Sequence, residues 1–402
     1  MLHRRKVLIV SGVFLPEPVV SARLNYDMAD ALSEKYDVTV ITPKPSRPYG
    51  REYQDITPIK GSFKHVIVDS YTCPKSNIVG RLRESFSFAK ATLRYIKENN
   101  LKVDFIYNCS WHLIGLFMIA RYAVKRNISY IVPVQDIYPE SLLAKLKHRP
   151  VISKIIRSLA LPIDRYYLSH AVCVRTISDD MADYLSETRG VPRNKFLIVN
   201  NWQEDSIFDK KCPNILGEKV RFSYVGSIND SSNVEHIIKS YAQTNVERSQ
   251  LFIYGSGSNR QNCESLVKYL GLEKKVLFES VESHQVPNVE WDSNVLVLAL
   301  KEGVAKTALP SKLTAYCLAG RPVIASLDKD SAAARIIKQY NFGVVVPPGD
   351  EIILAEAFAL FANMSEDELL QLGNNARLCA EELFMKDVNI RKIIEKVSSI
   401  IG

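Results

Sequence analysis

Short apolar runs rich in valine and isoleucine alternate with helical stretches along the chain, and this alternation most restricts its fold. The candidate strands are residues 6–10, 37–42, 65–68, 104–108, 130–135, 171–176 and 196–200, followed by 221–226, 250–255, 275–279, 294–300, 322–326 and 343–347. These runs are apolar on both faces, as parallel strands buried between helices are. The repeated order of strand, helix and strand predicts an α/β fold with doubly wound sheets.

A polar stretch over residues 203–218 interrupts this pattern and divides the candidate strands into two groups. The 402 residues are enough for two domains of about 200 residues each. We therefore expect two Rossmann-like domains, residues 1–204 and 205–380, facing across a cleft. Residues 381–402 are expected to hold an amphipathic helix over 381–401, which could pack on either domain, including back on the N-terminal one. Open α/β sheets bind ligands at the carboxyl ends of their strands, so the cleft is the expected site.

The charge is unevenly distributed, although the chain as a whole carries a net charge of +8. Residues 1–200 carry 30 Lys and Arg against 18 Asp and Glu, whereas residues 201–402 have a net charge of −4. A basic half beside a mildly acidic one suggests surfaces for different partners. Nucleic acid and an anionic membrane are the candidates for the basic surface, and uneven scatter is the alternative.

The seven cysteines are scattered, and no pair has the C-x-x-C spacing. This favours reduced thiols in a cytosol over a disulfide framework or a zinc site, and no metal site is expected. The basic start followed by an apolar run resembles a secretory signal, but Pro16 and Pro18 cut the run short. The longest uninterrupted apolar run, residues 113–120, is under half of a membrane span, so any membrane contact is expected to be peripheral.

Glycine turns follow the first two candidate strands of the C-terminal half. Gly226 and Ser227 end one strand, and Gly255 and Gly257 end the next. Such turns let backbone approach a ligand closely, although strand ends carry them for structural reasons as well. A complete G-x-G-x-x-G and a P-loop are both missing from the sequence, which disfavours nicotinamide cofactors and P-loop chemistry.

A sharper pattern runs from Lys306 to Tyr316. Pro310 stops any preceding helix, Ser311 is the predicted N-cap of the next one, and Lys312 lies in its first turn. A helix N-terminus offers free backbone N–H groups and partial positive charge, which suit a phosphate. A lysine in a first turn is intrinsically unfavourable, so a bound diphosphate would account for it. A solvated loop lysine is the alternative.

Seven motifs, in their order and spacing, resemble the retaining glycosyltransferases of family 4 with the GT-B fold, in the branch that assembles bacterial surface polysaccharides. They are VSGVFLPE at 10–17 with Arg23, VTVIT at 38–42, QDIYPES at 135–141, NNW at 200–202, GSG at 255–257, PSKL at 310–313 and AGRPVI at 319–324. The resemblance spans nearly the whole chain. It implies a nucleotide-sugar donor bound mainly by the C-terminal domain, an acceptor bound mainly by the N-terminal domain, retention of anomeric configuration, and no metal.

Two departures from the family concern the donor site. Thr307 and Ala315 stand where the broader family has two glutamates, and the turn at residues 227–233 lacks the arginine and lysine of many members. Lys306 and Lys312 are interpreted as the only nearby positive charges, so they are assigned the diphosphate by elimination. Donor contacts are expected from Gly226, Ser227, Gly255, Gly257, Lys306, Pro310, Ser311, Lys312 and Tyr316.

In the N-terminal half, polar residues follow candidate strand ends. Asp136 is a candidate to orient or deprotonate the acceptor hydroxyl, with Glu140 as a second, and Lys312 completes the catalytic set. Acceptor contacts are expected from Gly12, Glu17, Arg23 and His112. The structural alternatives are a helix-surface role for Arg23, a capping role for Asp136 and a packed surface position for His112.

Two basic amphipathic segments lie in the N-terminal half. In residues 80–99, Leu82, Phe86, Ala89, Leu93 and Ile96 are predicted to form an apolar face, beside Arg83, Lys90, Arg94 and Lys97. Residues 141–163 contain no acid, and their cations are Lys145, Lys147, Arg149, Lys154 and Arg157. Such helices bind anionic membranes, whereas no nucleic-acid recognition module is present. An ordinary helix with solvated lysines is the alternative.

These features predict a peripheral cytoplasmic glycosyltransferase at the inner face of the cell membrane. It would transfer a sugar from a nucleotide donor, with UDP favoured and the sugar N-acetylated or deoxy, to a lipid-linked saccharide of a capsule, O-antigen or exopolysaccharide. No cofactor and no nucleic-acid partner are expected. A UDP-sugar 2-epimerase of the same fold and a non-catalytic partner subunit remain the alternatives.

Overall fold

The computed structural model describes residues 4–47, 51–54, 56–74, 77–143, 150–202, 219–244, 246–282, 284–305 and 309–402. The chain divides into two compact units. The first comprises Met1–Val199 with Ile390–Gly402, and the second comprises Asn200–Asn389. The polar stretch at 203–218 lies outside the described residues.

The first unit is built around a parallel sheet of seven described strands in the order β3-β2-β1-β4-β5-β6-β7. The strands are β1 (Lys6–Ser11), β2 (Asp37–Thr42), β3 (Lys64–Ile67), β4 (Phe105–Cys109), β5 (Ser129–Pro133), β6 (Cys173–Thr176) and β7 (Phe196–Ile198). The helices are α1 (Val20–Ser33), α2 (Ile78–Glu98), α3 (Ile114–Lys125), α4 (Glu140–Leu143), α5 (Pro150–Ser169) and α6 (Asp179–Arg189).

The second unit repeats the plan with six described parallel strands in the order β10-β9-β8-β11-β12-β13. The strands are β8 (Val220–Val225), β9 (Ser249–Tyr254), β10 (Val276–Glu279), β11 (Val295–Ala299), β12 (Val323–Ser326) and β13 (Gly343–Val346). The helices are α7 (Val234–Ala242), α8 (Arg260–Tyr269), α9 (Val286–Trp291), α10 (Ser311–Leu318), α11 (Ala332–Tyr340), α12 (Glu351–Ala362), α13 (Glu366–Leu383) and α14 (Lys386–Ile401).

The strand predictions and the fold class are confirmed. Each of the thirteen predicted strands overlaps an observed one, and all observed pairs are parallel. In the central strand β1, Val7, Leu8, Ile9 and Val10 are all buried. The apolar runs therefore form parallel strands covered on both faces, with the strand order changing direction beside β1 and β8.

The predicted helix at residues 381–401 is wrong in its extent. Helix α13 continues to Leu383, and α14 begins only at Lys386. The fully buried Asn389 donates from Nδ2 to the carbonyls of Leu383 and Met385, at 2.8 and 3.0 Å. These hydrogen bonds stabilise the chain where the two helices are separated. The end of α14 belongs to the first unit, in which the Tyr36 hydroxyl lies 2.8 Å from Ser398 Oγ.

None of the described helices is both long enough and apolar enough to span a membrane.

Candidate active site

A cavity of about 410 Å³ lies in the first unit, at the carboxyl ends of β4 and β5. Its lining comes from the loop after β2, from one face of α2, and from the segments after β4 and β5: Arg47, Ile78, Arg81, Leu82, Glu84, Ser85, Trp111, His112, Asp136, Tyr138, Ser141 and Leu142. Ligands of open α/β sheets bind at this edge. The cavity therefore lies where the sequence places the acceptor.

His112 and Asp136, chosen from the sequence for different roles, both line this cavity. The imidazole of His112 stacks on the ring of Tyr138, with centroids 5.4 Å apart and planes 4° from parallel. Burial lowers the pKa of His112, the carboxylate of Asp136 opposes that shift, and the guanidinium of Arg81 adds to it. The cavity thus combines a neutral imidazole with an exposed carboxylate, two groups that can accept a proton from a sugar hydroxyl.

Trp111 lines the cavity and was not identified as a site residue from the sequence. A Cβ built on Gly12 would lie 2.8 Å from the indole, so Gly12 supports the ring by leaving room for it. The guanidinium carbon of Arg47 lies 4.7 Å from the indole centroid, and Arg47 pairs with the buried Glu84 at 2.6 Å. Gly12 therefore acts on the cavity through packing. The only sequence signal for Trp111 was its position just after a strand.

Two of the predicted acceptor contacts, Glu17 and Arg23, do not line this cavity and have structural partners. Glu17 is buried, and its carboxylate accepts hydrogen bonds from the backbone N–H groups of Phe14, Ser46 and Arg47 at 2.7 to 3.0 Å. Arg23 lies on the exposed side of α1 and pairs with Asp27 at 3.0 Å. Glu17 thereby holds the loop that carries Arg47, and Arg23 is exposed on the surface of α1, so the acceptor contacts of both stay predictions.

Glu140 is held in an ion-pair network rather than left available as a base. Its carboxylate contacts Arg189 Nη2 at 2.6 Å and accepts from the Tyr184 hydroxyl at 2.9 Å. The fully buried Arg189 also pairs with Asp164 at 2.6 Å. Burial alone would raise the pKa of Glu140, but the hydrogen bond and charge of Arg189 lower it. The structure therefore gives Glu140 a structural role in this network, and its catalytic role stays a prediction.

In the second unit the glycine turns after β8 and β9 pack against each other. Cβ atoms on Gly255 and Gly257 would overlap the carbonyl oxygens of Gly226 and Ile228, and φ at the two glycines is +139° and +155°. The Ile228 N–H donates to the Ser256 carbonyl at 2.9 Å. These glycines are therefore needed because the two turns contact each other through their backbones. Ser227 is exposed in this pair of contacting turns, called the joined glycine turns below.

Lys312 lies in the first turn of α10 and reaches the β8 turn. Its Nζ hydrogen-bonds to the Tyr224 hydroxyl and lies 3.9 Å from the centroid of that ring. A Cβ on Gly226 would overlap the Lys312 side chain. The observed N-cap of α10 is Pro310, so the prediction that Ser311 is the N-cap is wrong. Lys306 lies outside the described residues.

Tyr316 has no exposed surface, so the structure places it in the core rather than beside a ligand. The Val225 N–H donates to the Tyr316 hydroxyl at 3.1 Å, and this hydroxyl contacts the Val225 carbonyl at 3.3 Å. Tyr316 thus fastens α10 to β8, which sets the position of Lys312 relative to the glycine turns.

Two further cations lie at the carboxyl edge of the second sheet, so the interpretation of Lys306 and Lys312 as its only nearby positive charges is wrong. Lys301, after β11, pairs with Asp230 of the β8–α7 loop. Arg260, the first residue of α8, donates to the Gly255 carbonyl at 2.6 Å and pairs with Glu264 at 2.7 Å. Both follow strand ends, which was the available signal for them.

The basic helices expose apolar as well as charged side chains. On α2, Arg83, Lys90, Arg94 and Lys97 are exposed, but the predicted apolar face is wrong in part because Phe86 is 47 % exposed. The buried face instead includes Glu84, Ser85, Phe88, Ala89, Thr92 and Ile96. On α5, Val151, Ile152, Ile155 and Leu159 are exposed beside Lys154 and Arg157. Lys145, Lys147 and Arg149 lie outside the described residues.

Within the described part of the chain, no three His, Cys, Asp or Glu side chains gather so that they could hold a metal ion.

Two family models match the chain, one for each half. The model described as Glycosyltransferase Family 4 matches residues 21–202. The model described as Glycosyl transferases group 1 matches residues 205–378. The two matches meet where the chain passes from the first unit to the second.

Similar proteins agree with these matches. A probable glycosyltransferase, WbjE of Pseudomonas aeruginosa, is 23 % identical over 310 residues, which is 70 % of each chain. The sucrose-phosphate synthase of Thermosynechococcus elongatus has a TM-score of 0.73 at 17 % identity, covering 99 % of both chains. Anabaena HepE, solved in complex with UDP, has a TM-score of 0.70 at 14 % identity, covering 98 % of this chain and 100 % of its own. The two solved structures share this fold over their whole lengths.

Proposed function

We infer the function of this chain from its family: it belongs to glycosyltransferase family 4, it has the GT-B fold, and it is a glycosyltransferase. We propose that it transfers a sugar from a UDP-sugar to a lipid-linked saccharide during assembly of a surface polysaccharide. The observation that carries this proposal is that one helix, α2, both lines the cavity in the first unit and exposes a basic and apolar surface. That arrangement suits an acceptor anchored in an anionic membrane.

The proposed donor site is the carboxyl edge of the second sheet. UDP is proposed as the nucleotide because HepE, which shares the fold, was solved with UDP. The joined glycine turns and Lys312 would meet the diphosphate, with Lys301 and Arg260 adding positive potential at the same edge. Negative charge grows on the departing diphosphate, and preorganised cations stabilise that charge in the transition state.

The proposed acceptor site is the cavity in the first unit, whose volume of about 410 Å³ falls in the range of small-ligand pockets. Tyr138 and Trp111 offer aromatic faces to a sugar ring, and Asp136 or His112 would orient the attacking hydroxyl. The acceptor oxygen bonds to the anomeric carbon as the bond to the diphosphate breaks. The hydroxyl proton passes to the leaving phosphate, with retention of configuration.

The membrane proposal rests on exposed apolar side chains interspersed with cations on α5 and α2. Apolar side chains at such a surface enter the boundary between headgroups and acyl chains, and each nearby cation adds about 1 kcal/mol on an anionic membrane. The cations thus favour an anionic bilayer over a neutral protein partner.

A screen of UDP-, GDP- and dTDP-sugars for thermal stabilisation tests the donor proposal, since a bound ligand raises the melting temperature. We expect UDP-sugars to stabilise the protein and K312A to lose most of that stabilisation. A matched variant, K329A, removes an exposed lysine and is expected to respond as wild type does. Equal stabilisation of K312A and wild type would remove Lys312 from the donor site. Stabilisation by none of the nucleotides would favour the non-catalytic alternative.

A further inference from the structure

The first unit contains a second cavity, which none of the proposed sites uses. It has a volume of about 340 Å³ and lies at the carboxyl ends of β2 and β3, whose last residues, Thr42 and Ile67, both line it. A volume of this size suits a small ligand. Most of the lining is apolar and includes Phe14, Pro16, Pro45, Ile56, Ile59 and Ile67.

The polar groups in the interior of this cavity are already hydrogen-bonded within the protein. The carboxylate of Glu17 accepts from three backbone N–H groups. The Ile59 N–H donates to Nδ1 of His65 at 2.8 Å, so the neutral imidazole carries its proton on Nε2 and shares it with the Thr42 hydroxyl at 3.0 Å. The surface offered to a ligand is therefore mainly apolar, which favours a hydrocarbon over a sugar.

One wall of the cavity comes from the described residues between Tyr53 and Lys60, and hydrogen bonds hold it in place. The Tyr53 hydroxyl donates to the Arg47 carbonyl, and His65 accepts from the Ile59 N–H. These bonds attach the wall to the loop after β2 and to β3. The polar side chains that this wall adds to the lining are exposed rather than interior: Gln54, Thr57 and Lys60.

The loop after β2 separates this cavity from the proposed acceptor cavity. Pro45 lines the second cavity, whereas Arg47 of the same loop lines the first. The exposed Lys44 precedes them and pairs with the exposed Asp69 at 2.9 Å, a kind of pair that contributes little. An aromatic cavity, a loop with cations and an apolar cavity therefore follow one another. Sugar, phosphate and hydrocarbon have this same order in a lipid-linked saccharide.

We propose that the second cavity binds the part of the hydrocarbon chain next to the phosphate in the lipid that carries the acceptor saccharide. Lys44 and Lys60 supply positive charge for that phosphate. This inference rests on the proposed function, from which it takes the lipid-linked acceptor. Burial of hydrocarbon in an apolar cavity is favourable and needs no hydrogen-bond partner. The cavity would therefore let the protein select a lipid-linked saccharide over a free one.

Calorimetric titration with farnesyl phosphate, below the concentration at which it forms micelles, tests this proposal without nucleotide or saccharide. We expect saturable binding to the wild type. Isopentenyl phosphate has the same headgroup on a much shorter chain, and it should bind at least about tenfold more weakly. Equal affinities for the two phosphates would show that the headgroup alone is bound, and would overturn the proposal.

Substitution of Ile56 tests whether the chain enters this cavity. I56N places an amide in the apolar lining and should weaken the binding of farnesyl phosphate about tenfold. Because Ile56 is 38 % exposed, this variant is expected to fold, and its melting temperature checks that. The matched control I352N changes an exposed isoleucine of α12 and should bind as wild type does. K60E should weaken the binding of farnesyl phosphate at low salt, whereas K329E should not.

A photoactivatable diazirine analogue of farnesyl phosphate locates the chain, and labelling of residues 56–60 supports the proposal. Labelling of α5 instead, or equal affinities of I56N and wild type, would overturn it. Equal or tighter binding of laurate would assign the cavity to a free fatty acid and would also overturn it. If UDP-sugars stabilise the protein but farnesyl phosphate does not bind, this inference alone fails. If farnesyl phosphate binds but no nucleotide sugar does, the proposed donor fails and the cavity assignment remains.

Discussion

The apolar side chains exposed on α5 give the membrane proposal a quantitative consequence. Val151 and Leu159 are 71 % and 67 % exposed. Fully burying a side chain of this size contributes about 1.5–3 kcal/mol, so transfer of the exposed part of each contributes about 1–2 kcal/mol. V151S/L159S therefore removes about 2–4 kcal/mol from membrane binding, a decrease of about 30-fold to 700-fold in the partition coefficient.

Flotation with vesicles of phosphatidylethanolamine and phosphatidylglycerol measures this decrease. The matched control is I352S/L360S on α12 of the second unit, where the two side chains are 65 % and 52 % exposed. We expect V151S/L159S to stay with the unbound protein and the control to float as wild type does. K90E/R94E should reduce flotation at low salt, and the difference from wild type should shrink near 0.5 M salt, where the Debye length is about 4 Å. Equal flotation of V151S/L159S and wild type would refute insertion of α5.

Two further predictions concern stability, measured by urea unfolding. R189M leaves the buried Asp164 without its cation and should lower the free energy of unfolding by about 3–5 kcal/mol. The control R193M breaks exposed pairs with Asp179 and Asp183 and should lower it by about 1 kcal/mol or less. Similar decreases for the two variants would contradict a stabilising role for the buried network. Burial lowers the pKa of His65 to about 4 from 6.5, so between these values the unfolded chain binds more protons and stability falls as the pH falls. The wild type should lose about 3 kcal/mol over this interval through His65, a loss that H65Q should not show; parallel pH profiles would exclude His65 as the cause.

The strands could be predicted from the sequence because fully buried parallel strands leave a local signal, a run of apolar residues. The edge of each sheet at which ligands bind follows from the same pattern, which is why His112 and Asp136 were expected just after strand ends and lie just after β4 and β5. Their partners could not be predicted in this way. Glu140 looked available until Arg189, 49 residues away in sequence, was seen to pair with it.

Side-chain contacts also decided which face of α2 is buried and what surrounds Lys312. Phe86 has the spacing of a core residue, but Glu84 and Ser85 take the buried positions because Glu84 pairs with Arg47 and Ser85 bonds to the turn after β4. The surroundings of Lys312 could not be predicted either, because Tyr224, whose hydroxyl it contacts, lies 88 residues away in sequence.

The end of α14 has a consequence for how the chain is synthesised. Ile393 and Val397 are buried, and Ser398 contacts Tyr36, from which it is separated by 362 positions in sequence. A ribosome makes the first unit's sheet long before it makes these residues, and domains begin to fold as they emerge. The nascent first unit therefore lacks the end of α14, and the apolar surface that it covers stays exposed until the whole second unit has been translated. A chain that is truncated within the second unit lacks the α14 residues and leaves the first unit incomplete as well. Damage to either unit therefore exposes apolar surface that chaperones and proteases recognise.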